Sequence, residues 1–225
     1  MEKKNTILLT VIAVATLLVA VVGATFAYFT ATTGNSGDTS STGKVQTAKV
    51  ASVTLKTAAA GTSNTTIYPG TTNYAGMTVV AEKTGDNAAA DTRDYNVTYT
   101  LKGEVKLSEE FTAGKVTYSV YRTESPVSNP VTCQEVTSTG AKYSQTCTLA
   151  KELESATKIV DNQEVSGTTA TISVGDQVRS TAGGTYYYYL VVSYENLESD
   201  QNADQGKTIT ASLTTPDITG TAEAE

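Results

Sequence analysis

The sequence predicts an all-β fold, an antiparallel two-sheet sandwich of the jelly-roll or immunoglobulin-like kind that follows an N-terminal hydrophobic helix. The chain is rich in Thr, Val and Tyr, with 13 Tyr and no Trp, and branched and aromatic side chains pack well on a pleated sheet. Short segments alternate apolar and polar residues, and Gly, Pro, Asn and Asp separate them as in turns. These segments are 50–57, 76–83, 94–103, 114–122, 170–175, 185–196 and 207–215.

Alternation is clearest in YNVTYTL, where Tyr95, Val97, Tyr99 and Leu101 fall on one face. A period of two is that of a strand with one buried face, whereas an amphipathic helix has a period of 3.6. The one segment that favours a helix is 148–158, TLAKELESATK. Regular strands with almost no helix are typical of a sandwich.

The segment from Tyr186 to Tyr194 is apolar on both faces, which predicts a strand at the centre of a sheet. Its four consecutive tyrosines, 186–189, are also compatible with an aromatic surface for carbohydrate. Alternation places at most two of these rings on one face, so core packing is the favoured interpretation.

The N-terminal segment 1–27 is predicted to be a signal peptide or a membrane-anchor helix. Lys3 and Lys4 precede an apolar run from Ile7 to Ala24, a charge order that keeps the N-terminus inside the cell. Ala27 at −1 and Thr25 at −3 allow cleavage between Ala27 and Tyr28, and Val22-Gly23-Ala24 offers a second such pattern. The alternative is an uncleaved anchor that contacts the membrane through residues 7–29.

Residues 28–43 are small and polar after Tyr28 and Phe29, and they predict a flexible linker. The β-prone start of this linker could add as a donor strand to the open sheet edge of another subunit, with Tyr28 and Phe29 as anchors. The sandwich is predicted to cover 44–215, and 216–225 is predicted to be a disordered tail.

The two cysteines, Cys133 and Cys147, predict one disulfide across a hairpin whose turn lies near 138–140. A pair of cysteines in an exported chain is normally oxidised. The alternative is two unpaired, half-buried thiols.

A candidate calcium site lies in DQNADQGK, where Asp200, Asn202 and Asp204 alternate. Oxygen ligands at that spacing can surround a calcium ion. The match to an EF-hand loop is imperfect, and a polar turn loop is the alternative interpretation. No other cofactor is predicted. A second acidic loop, 85–94, is interpreted as a solvated loop at the end of the sandwich.

Composition excludes several classes of function. The chain has no His, so a Ser-His-Asp triad and an HExxH zinc site are impossible. The neighbouring carboxylates Glu109 and Glu110, and likewise Glu152 and Glu154, are too close in sequence to face each other across a glycosidase cleft. A net charge of −7 does not attract nucleic acid. We therefore predict no catalytic residues and no nucleic-acid partner.

Four stretches resemble the TasA/camelysin family of Gram-positive bacteria: GATFAYFTATT, IYPG (67–70), DTRDYNVTYTLKG and YYYYLVVSYENLESDQNADQGKTITASL. The resemblance implies an exported β-sandwich, with signal cleavage before Tyr28, in a family several of whose members build biofilm fibres. Camelysin-type members are classed as metallopeptidases, and the lack of His means that this activity is not carried over.

Together these observations predict an exported cell-surface or extracellular-matrix structural protein that could form fibres by donor-strand addition. Its expected partners are copies of itself or other surface proteins, in the matrix or on the outer face of the cytoplasmic membrane. The alternative is a membrane-anchored adhesion or binding module with ligand loops at one end of the sandwich.

Overall fold

The computed structural model describes residues 43–45, 52–62, 67–85, 88, 91–139, 142–180, 184–197 and 199–223. The predicted N-terminal helix, the cleavage site at Ala27 and Tyr28, and Phe29 lie outside the described residues. Within the described part of the chain, no helix is both long and apolar enough to cross a bilayer.

The described part is almost entirely β-structure. Its elements in chain order are strands β1 (Gly43–Val45), β2 (Ser52–Thr62), β3 (Thr72–Thr84), β4 (Tyr95–Leu107), β5 (Val116–Thr123), β6 (Val131–Cys133), β7 (Thr137–Thr139), β8 (Lys142–Ser144) and β9 (Cys147–Leu149), helix α1 (Lys151–Glu154), strands β10 (Thr157–Glu164), β11 (Thr169–Arg179) and β12 (Thr185–Tyr194), a 3-10 turn (Asn202–Asp204) and strand β13 (Ile209–Glu223). The short helix lies inside the segment that the sequence singled out.

Two antiparallel sheets form the sandwich, as predicted. One has six strands in the order β1-β2-β3-β12-β5-β10, and the other has three in the order β11-β4-β13. Strand β12 lies between β3 and β5, which confirms that it is central. Two further two-stranded sheets, β6-β9 and β7-β8, form one continuous hairpin.

The main core lies between the two sheets. Along β4, residues alternate strictly between buried and more exposed positions, which confirms the predicted inward face. These side chains meet the inner face of β12, and the core includes Val97, Tyr99, Leu101, Val105, Tyr188, Leu190 and Val192. Each aliphatic side chain buried in this way contributes roughly 1.5–3 kcal/mol relative to an exposed one.

A second, smaller core covers the outer face of the six-stranded sheet. The segment 124–156 leaves β5, forms the hairpin and α1, and returns to β10. Its Val127 and Leu153 pack against Tyr121, Tyr189 and Val191. The Val127 backbone N–H also donates a hydrogen bond to the Tyr189 hydroxyl, at 2.7 Å. Tyr188 and Tyr189 are thus both buried, on opposite faces, and the favoured core packing of the tyrosine run is confirmed.

The predicted disordered tail is wrong as far as Glu223. Strand β13 pairs with β4 from Ile209 to Glu223, so that the sandwich extends beyond residue 215. The pairing shifts register between Thr214 and Asp217, at Pro216. A proline lacks an N–H group and is tolerated at such an irregularity. The predicted boundary at residue 215 lies just before Pro216, whereas β4 continues as a partner on the far side of the proline.

Candidate functional site

A groove of about 680 Å³ lies at one end of the sandwich. Its walls are the turn at 67–70, the tip of the hairpin near 143–144 and the loop 196–206. We call it the tyrosine groove, after Tyr68 and Tyr143, which line it. The three walls come from distant parts of the sequence, and separate local interactions hold each of them in place.

The first wall is the IYPG turn. The Thr71 N–H donates to the Tyr68 carbonyl at 2.9 Å, and the Tyr68 N–H donates to the Thr71 hydroxyl oxygen at 2.9 Å. Gly70 has a φ of +87°, a left-handed conformation that glycine adopts without strain. Its N–H donates to the Tyr194 carbonyl at 2.9 Å, so the turn is fixed to the end of the central strand.

The second wall is the hairpin, which is fastened to this turn through Gln145. The Gln145 N–H donates to the Pro69 carbonyl, and the Thr71 hydroxyl donates to the Gln145 side-chain oxygen, both at 2.8 Å. The approach is so close that a Cβ atom on Gly70 would lie 2.1 Å from the Gln145 carbonyl oxygen. Glycine at position 70 is therefore required for the hairpin to dock.

The hairpin is closed by the two cysteines. Cys133 and Cys147 are direct partners in the β6-β9 register, and their sulfur atoms lie 2.02 Å apart, a bonding distance. The alternative of two unpaired thiols therefore does not hold. The Thr72 N–H also donates to the Cys147 sulfur, at 3.3 Å, which ties the base of the hairpin to β3.

The hairpin presents Tyr143 to solvent. This ring keeps 53 % of its surface exposed, although tyrosine is mostly buried elsewhere in the described fold. Its centroid lies 6.4 Å from that of Tyr68, with the two planes tilted by 42°. Two amphipathic rings thus stand side by side at the rim of the groove.

The third wall is the loop 196–206, which is built around two buried polar side chains. Gln201 accepts a hydrogen bond from the Leu197 N–H at 3.0 Å and donates one to the Glu195 carbonyl at 2.9 Å. Asp200 accepts from the Asn202 N–H at 2.9 Å, at the start of the 3-10 turn. Asp200 and Asn202 remain exposed and line the groove.

Asp204 is the second buried side chain of this loop, and it joins the loop to the segment after β4. Its carboxylate accepts from the Thr112 N–H at 2.8 Å, the Ala113 N–H at 3.0 Å and the Tyr194 hydroxyl at 2.8 Å. The Lys207 ammonium lies 2.8 Å away. Burial alone would raise the pKa of Asp204, but the hydrogen bonds from these four groups outweigh it and lower the pKa to about 2.

The predicted calcium site is wrong. Asp204 is turned into the protein and its two oxygens are already bonded to four donors, so it cannot join Asp200 and Asn202 around an ion. Among the described residues, no group of three or more Cys, Asp or Glu side chains has the geometry of a metal site. The alternative interpretation, a polar loop held by Asp and Asn hydrogen bonds, is the one that the structure supports.

In the other acidic loop, the described aspartates Asp91 and Asp94 are both hydrogen-bonded within the protein. The Asp91 carboxylate pairs with Arg93 at 2.9 Å and accepts from the Tyr95 hydroxyl at 2.7 Å. Asp94 accepts from the Ser180 hydroxyl at 3.1 Å. These contacts anchor the segment that leads into β4.

The electrostatic character of the tyrosine groove is weakly acidic. The exposed carboxylate of Asp200 lines it, and none of the described lining residues is a lysine or arginine. Lys207 is close in sequence, but its ammonium is only 12 % exposed and donates to Asp204 and to the Glu110 carbonyl. The groove therefore suits a ligand without negative charge.

The sequence does not predict the groove. It offers the tyrosines of 186–189 as an aromatic surface only as the less favoured interpretation, and Tyr188 and Tyr189 are core residues. The exposed ring instead belongs to Tyr143, in the loop closed by the disulfide. An aromatic residue between two bridged cysteines, in a segment of polar residues, is a signal that points to an exposed ring.

The chain matches no family model, no curated protein and no solved structure. The resemblance to the TasA/camelysin family therefore remains a prediction from the motifs, and the site is interpreted from its own geometry.

Proposed function

We propose that this chain is an exported surface protein that binds a ligand at one end of its sandwich, in the tyrosine groove. The observation that carries the proposal is Tyr143, a largely exposed ring on a disulfide-closed hairpin, next to Tyr68 and opposite a polar loop. Tyrosine gives a large contact area for little loss of conformational freedom, and it is enriched where proteins bind.

Rigidity of the walls supports this function. The turn and the hairpin are joined by two hydrogen bonds through Gln145, and the third wall is held by the buried side chains of Gln201 and Asp204. A site whose walls are fixed before binding loses less entropy when the ligand arrives. The same arrangement corresponds to the predicted adhesion module with ligand loops at one end.

Export is proposed from the sequence of residues 1–27 and from the disulfide. Disulfides persist in oxidising compartments and are rare in the cytosol. The pair Cys133 and Cys147 therefore supports a location outside the cytoplasm. N-terminal sequencing then distinguishes a released chain, which begins at Tyr28, from an anchored chain that retains residues 1–27.

Surface labelling and envelope binding test the proposal. Intact cells are treated with a membrane-impermeant amine reagent, and the full chain is expected to be labelled. The purified full chain, in mild detergent, is then mixed with isolated cell-envelope and matrix polymers. We expect it to sediment with one of them, and Tyr143→Ala to lose this binding while Val136→Ala, an exposed change on the same hairpin, keeps it. A cytosolic chain, or binding that ignores Tyr143, contradicts the proposal.

A second candidate is the predicted structural protein that assembles by donor-strand addition, and strand β11 favours it. Strand β11 pairs with β4 over Thr169–Arg179 without a register shift, and it ends the three-stranded sheet of the described fold. A long, regular edge strand is a template for another chain. Strand β10, at one edge of the six-stranded sheet, has two register shifts in its pairing with β5. Such irregularities hinder the addition of another strand.

Size-exclusion chromatography and electron microscopy test this second candidate. A chain that begins at Tyr28 is compared with one that begins at Lys44. Fibres formed only by the longer chain support assembly through residues 28–43. Two monomers at high concentration contradict it.

A further inference from the structure

We propose that the ligand of the tyrosine groove is a glycan chain without negative charge, composed of neutral or amine-bearing sugars. This inference rests on the proposed binding function and names the class of ligand for the same site. It follows from three features of the groove: the pair of tyrosine rings, the composition of the polar walls and the sign of the charge.

The rings of Tyr68 and Tyr143 come from two separate walls, with centroids 6.4 Å apart and planes tilted by 42°. The tilt means that the rings do not cover each other as a parallel stack does. A sugar ring has one or two apolar faces of C–H groups, which pack on the face of an aromatic ring. Two neighbouring rings with different orientations suit consecutive units of a twisted chain better than one flat ligand.

The walls facing these rings are rich in hydrogen-bonding side chains. Exposed polar residues of the loop 196–206 that line the groove include Ser199, Asp200, Asn202 and Gln205. Carboxylates accept hydrogen bonds from hydroxyl groups, and side-chain amides both accept from and donate to them, which is the pairing that a sugar requires. Ile67 and Pro69 are the aliphatic residues among the described lining, which also includes three tyrosines.

The charge of the site selects among glycans. Asp200 places an exposed carboxylate in the groove, and the described lining contains no lysine or arginine. The chain as a whole carries a net charge of −7. Uronic-acid polymers, phosphate-linked polymers and other polyanions are therefore repelled. An amine-bearing sugar gains an ion pair with Asp200, and a neutral sugar suffers no repulsion.

Direct titration tests the class of ligand. The full chain in mild detergent is titrated calorimetrically with a glucosamine hexamer, an N-acetylglucosamine hexamer, a glucose hexamer and a galacturonate hexamer. We expect saturable binding of at least one of the first three and none of the galacturonate. Tyr143→Ala is expected to weaken that binding about tenfold, as for a central aromatic contact. Asp200→Asn is expected to weaken glucosamine more than the neutral hexamers.

Two control variants show whether a loss of binding is specific to the groove or follows from a general change in the protein. Val136→Ala changes an exposed side chain on the same hairpin, and Asp161→Asn removes an exposed carboxylate from β10, outside the groove. Both are expected to bind within about twofold of the wild type. Tyr143 is exposed, so its truncation leaves the fold intact, and thermal unfolding of each variant verifies this.

Failure of this inference is distinguishable from failure of the binding function. Preference for galacturonate overturns the assignment of the ligand as a glycan without negative charge. Binding of a proline-rich or cationic peptide that depends on Tyr143, without binding of any hexamer, also overturns it but leaves the groove as a binding site. If envelope binding does not depend on Tyr143 and no hexamer binds, both the ligand class and the proposed function are wrong.

Discussion

The Tyr188 hydroxyl donates a hydrogen bond of 2.6 Å to the carboxylate of Asp176, and this bond joins the six-stranded sheet to the three-stranded sheet. The other Asp176 oxygen accepts from Arg122, also at 2.6 Å. Arg122 stacks on the Tyr186 ring, with its guanidinium carbon 4.4 Å from the centroid. Tyr188 is also hydrogen-bonded to the Tyr99 hydroxyl on β4. Four polar groups therefore share one hydrogen-bonded network between the two sheets.

Tyr188→Phe tests how much this network contributes to the stability of the fold. The change removes one hydroxyl, so that one Asp176 oxygen loses its donor and the Tyr99 hydroxyl loses its hydrogen-bond partner. We expect the free energy of unfolding to fall by about 2 kcal/mol, because unsatisfied buried polar groups cost about 1–3 kcal/mol. Urea denaturation measures the loss. Burial raises the pKa values of both Tyr99 and Tyr188, so these hydroxyls stay protonated donors throughout the working range of pH.

The control for that measurement is Tyr143→Phe, which removes the same hydroxyl from an exposed ring. Surface substitutions of this kind normally change stability by less than about 0.5 kcal/mol. Equal effects of the two variants would show that the network contributes nothing specific.

Asp204 predicts how stability depends on pH. Its pKa is about 2 in the folded chain against an ordinary value of 3.8. A lowered pKa means that the stabilisation is fully present above pH 4 and is lost as the pH falls through 2. The difference corresponds to about 2 kcal/mol. Denaturation curves between pH 2 and 5 should show this loss in the wild type, and Asp204→Asn should lack most of it. An identical pH dependence in the two proteins would contradict the assignment.

Gly70→Ala is expected to undock the hairpin. The new Cβ meets the Gln145 carbonyl at 2.1 Å, and alanine at a φ of +87° is strained by roughly 1–2 kcal/mol. We expect a loss of at least about 2 kcal/mol in the free energy of unfolding. Faster amide exchange of Gln145, whose N–H is bonded to Pro69, reports the undocking directly.

Two other glycines separate the causes of that effect. Gly167 also has a positive φ, +71°, but has no atom within 4 Å of the new Cβ position, so Gly167→Ala measures backbone strain alone. Gly175 has open space around the new Cβ position and no positive φ, so Gly175→Ala introduces neither a steric clash nor backbone strain. The expected order of destabilisation is Gly70, then Gly167, then Gly175, and any other order rejects the steric explanation.

Reduction of the disulfide is expected to weaken the groove more than the sandwich. The bridge closes a loop with a sequence separation of 14, which corresponds to about 3 kcal/mol in the loop-entropy model. The paired change Cys133→Ser with Cys147→Ser should lower the melting temperature and raise amide exchange in the hairpin. The exchange rates of β4 should stay slow at temperatures well below melting. Equal acceleration in both places would mean that the hairpin and the sandwich unfold as one unit.

Local pattern was sufficient to predict most of the long strands and the cysteine hairpin, but it did not predict β10. The alternation of Tyr95 to Leu101 is a property of one segment, and so is the hairpin between the cysteines. The direction of Asp204 was not predictable, because its donors on Thr112 and Ala113 are about 90 residues away in the chain. The groove was not predictable either, because its three walls come from distant parts of the chain. Asp176 did carry a signal, since it is a charge on the inward phase of an apolar strand, which requires a buried partner.

The place of β12 has a consequence for how the molecule is made. Tyr186 pairs with Val79, about 100 residues earlier in the chain, and the neighbouring β5 also needs β12 as its partner. Ribosomal synthesis therefore delivers the centre of the large sheet only after about 185 residues have been made. Folds dominated by such distant pairings form slowly. Until β12 has been made, the large sheet lacks its central strand, and slow folding of this kind favours the proposed export, because a translocation channel accepts an unfolded chain.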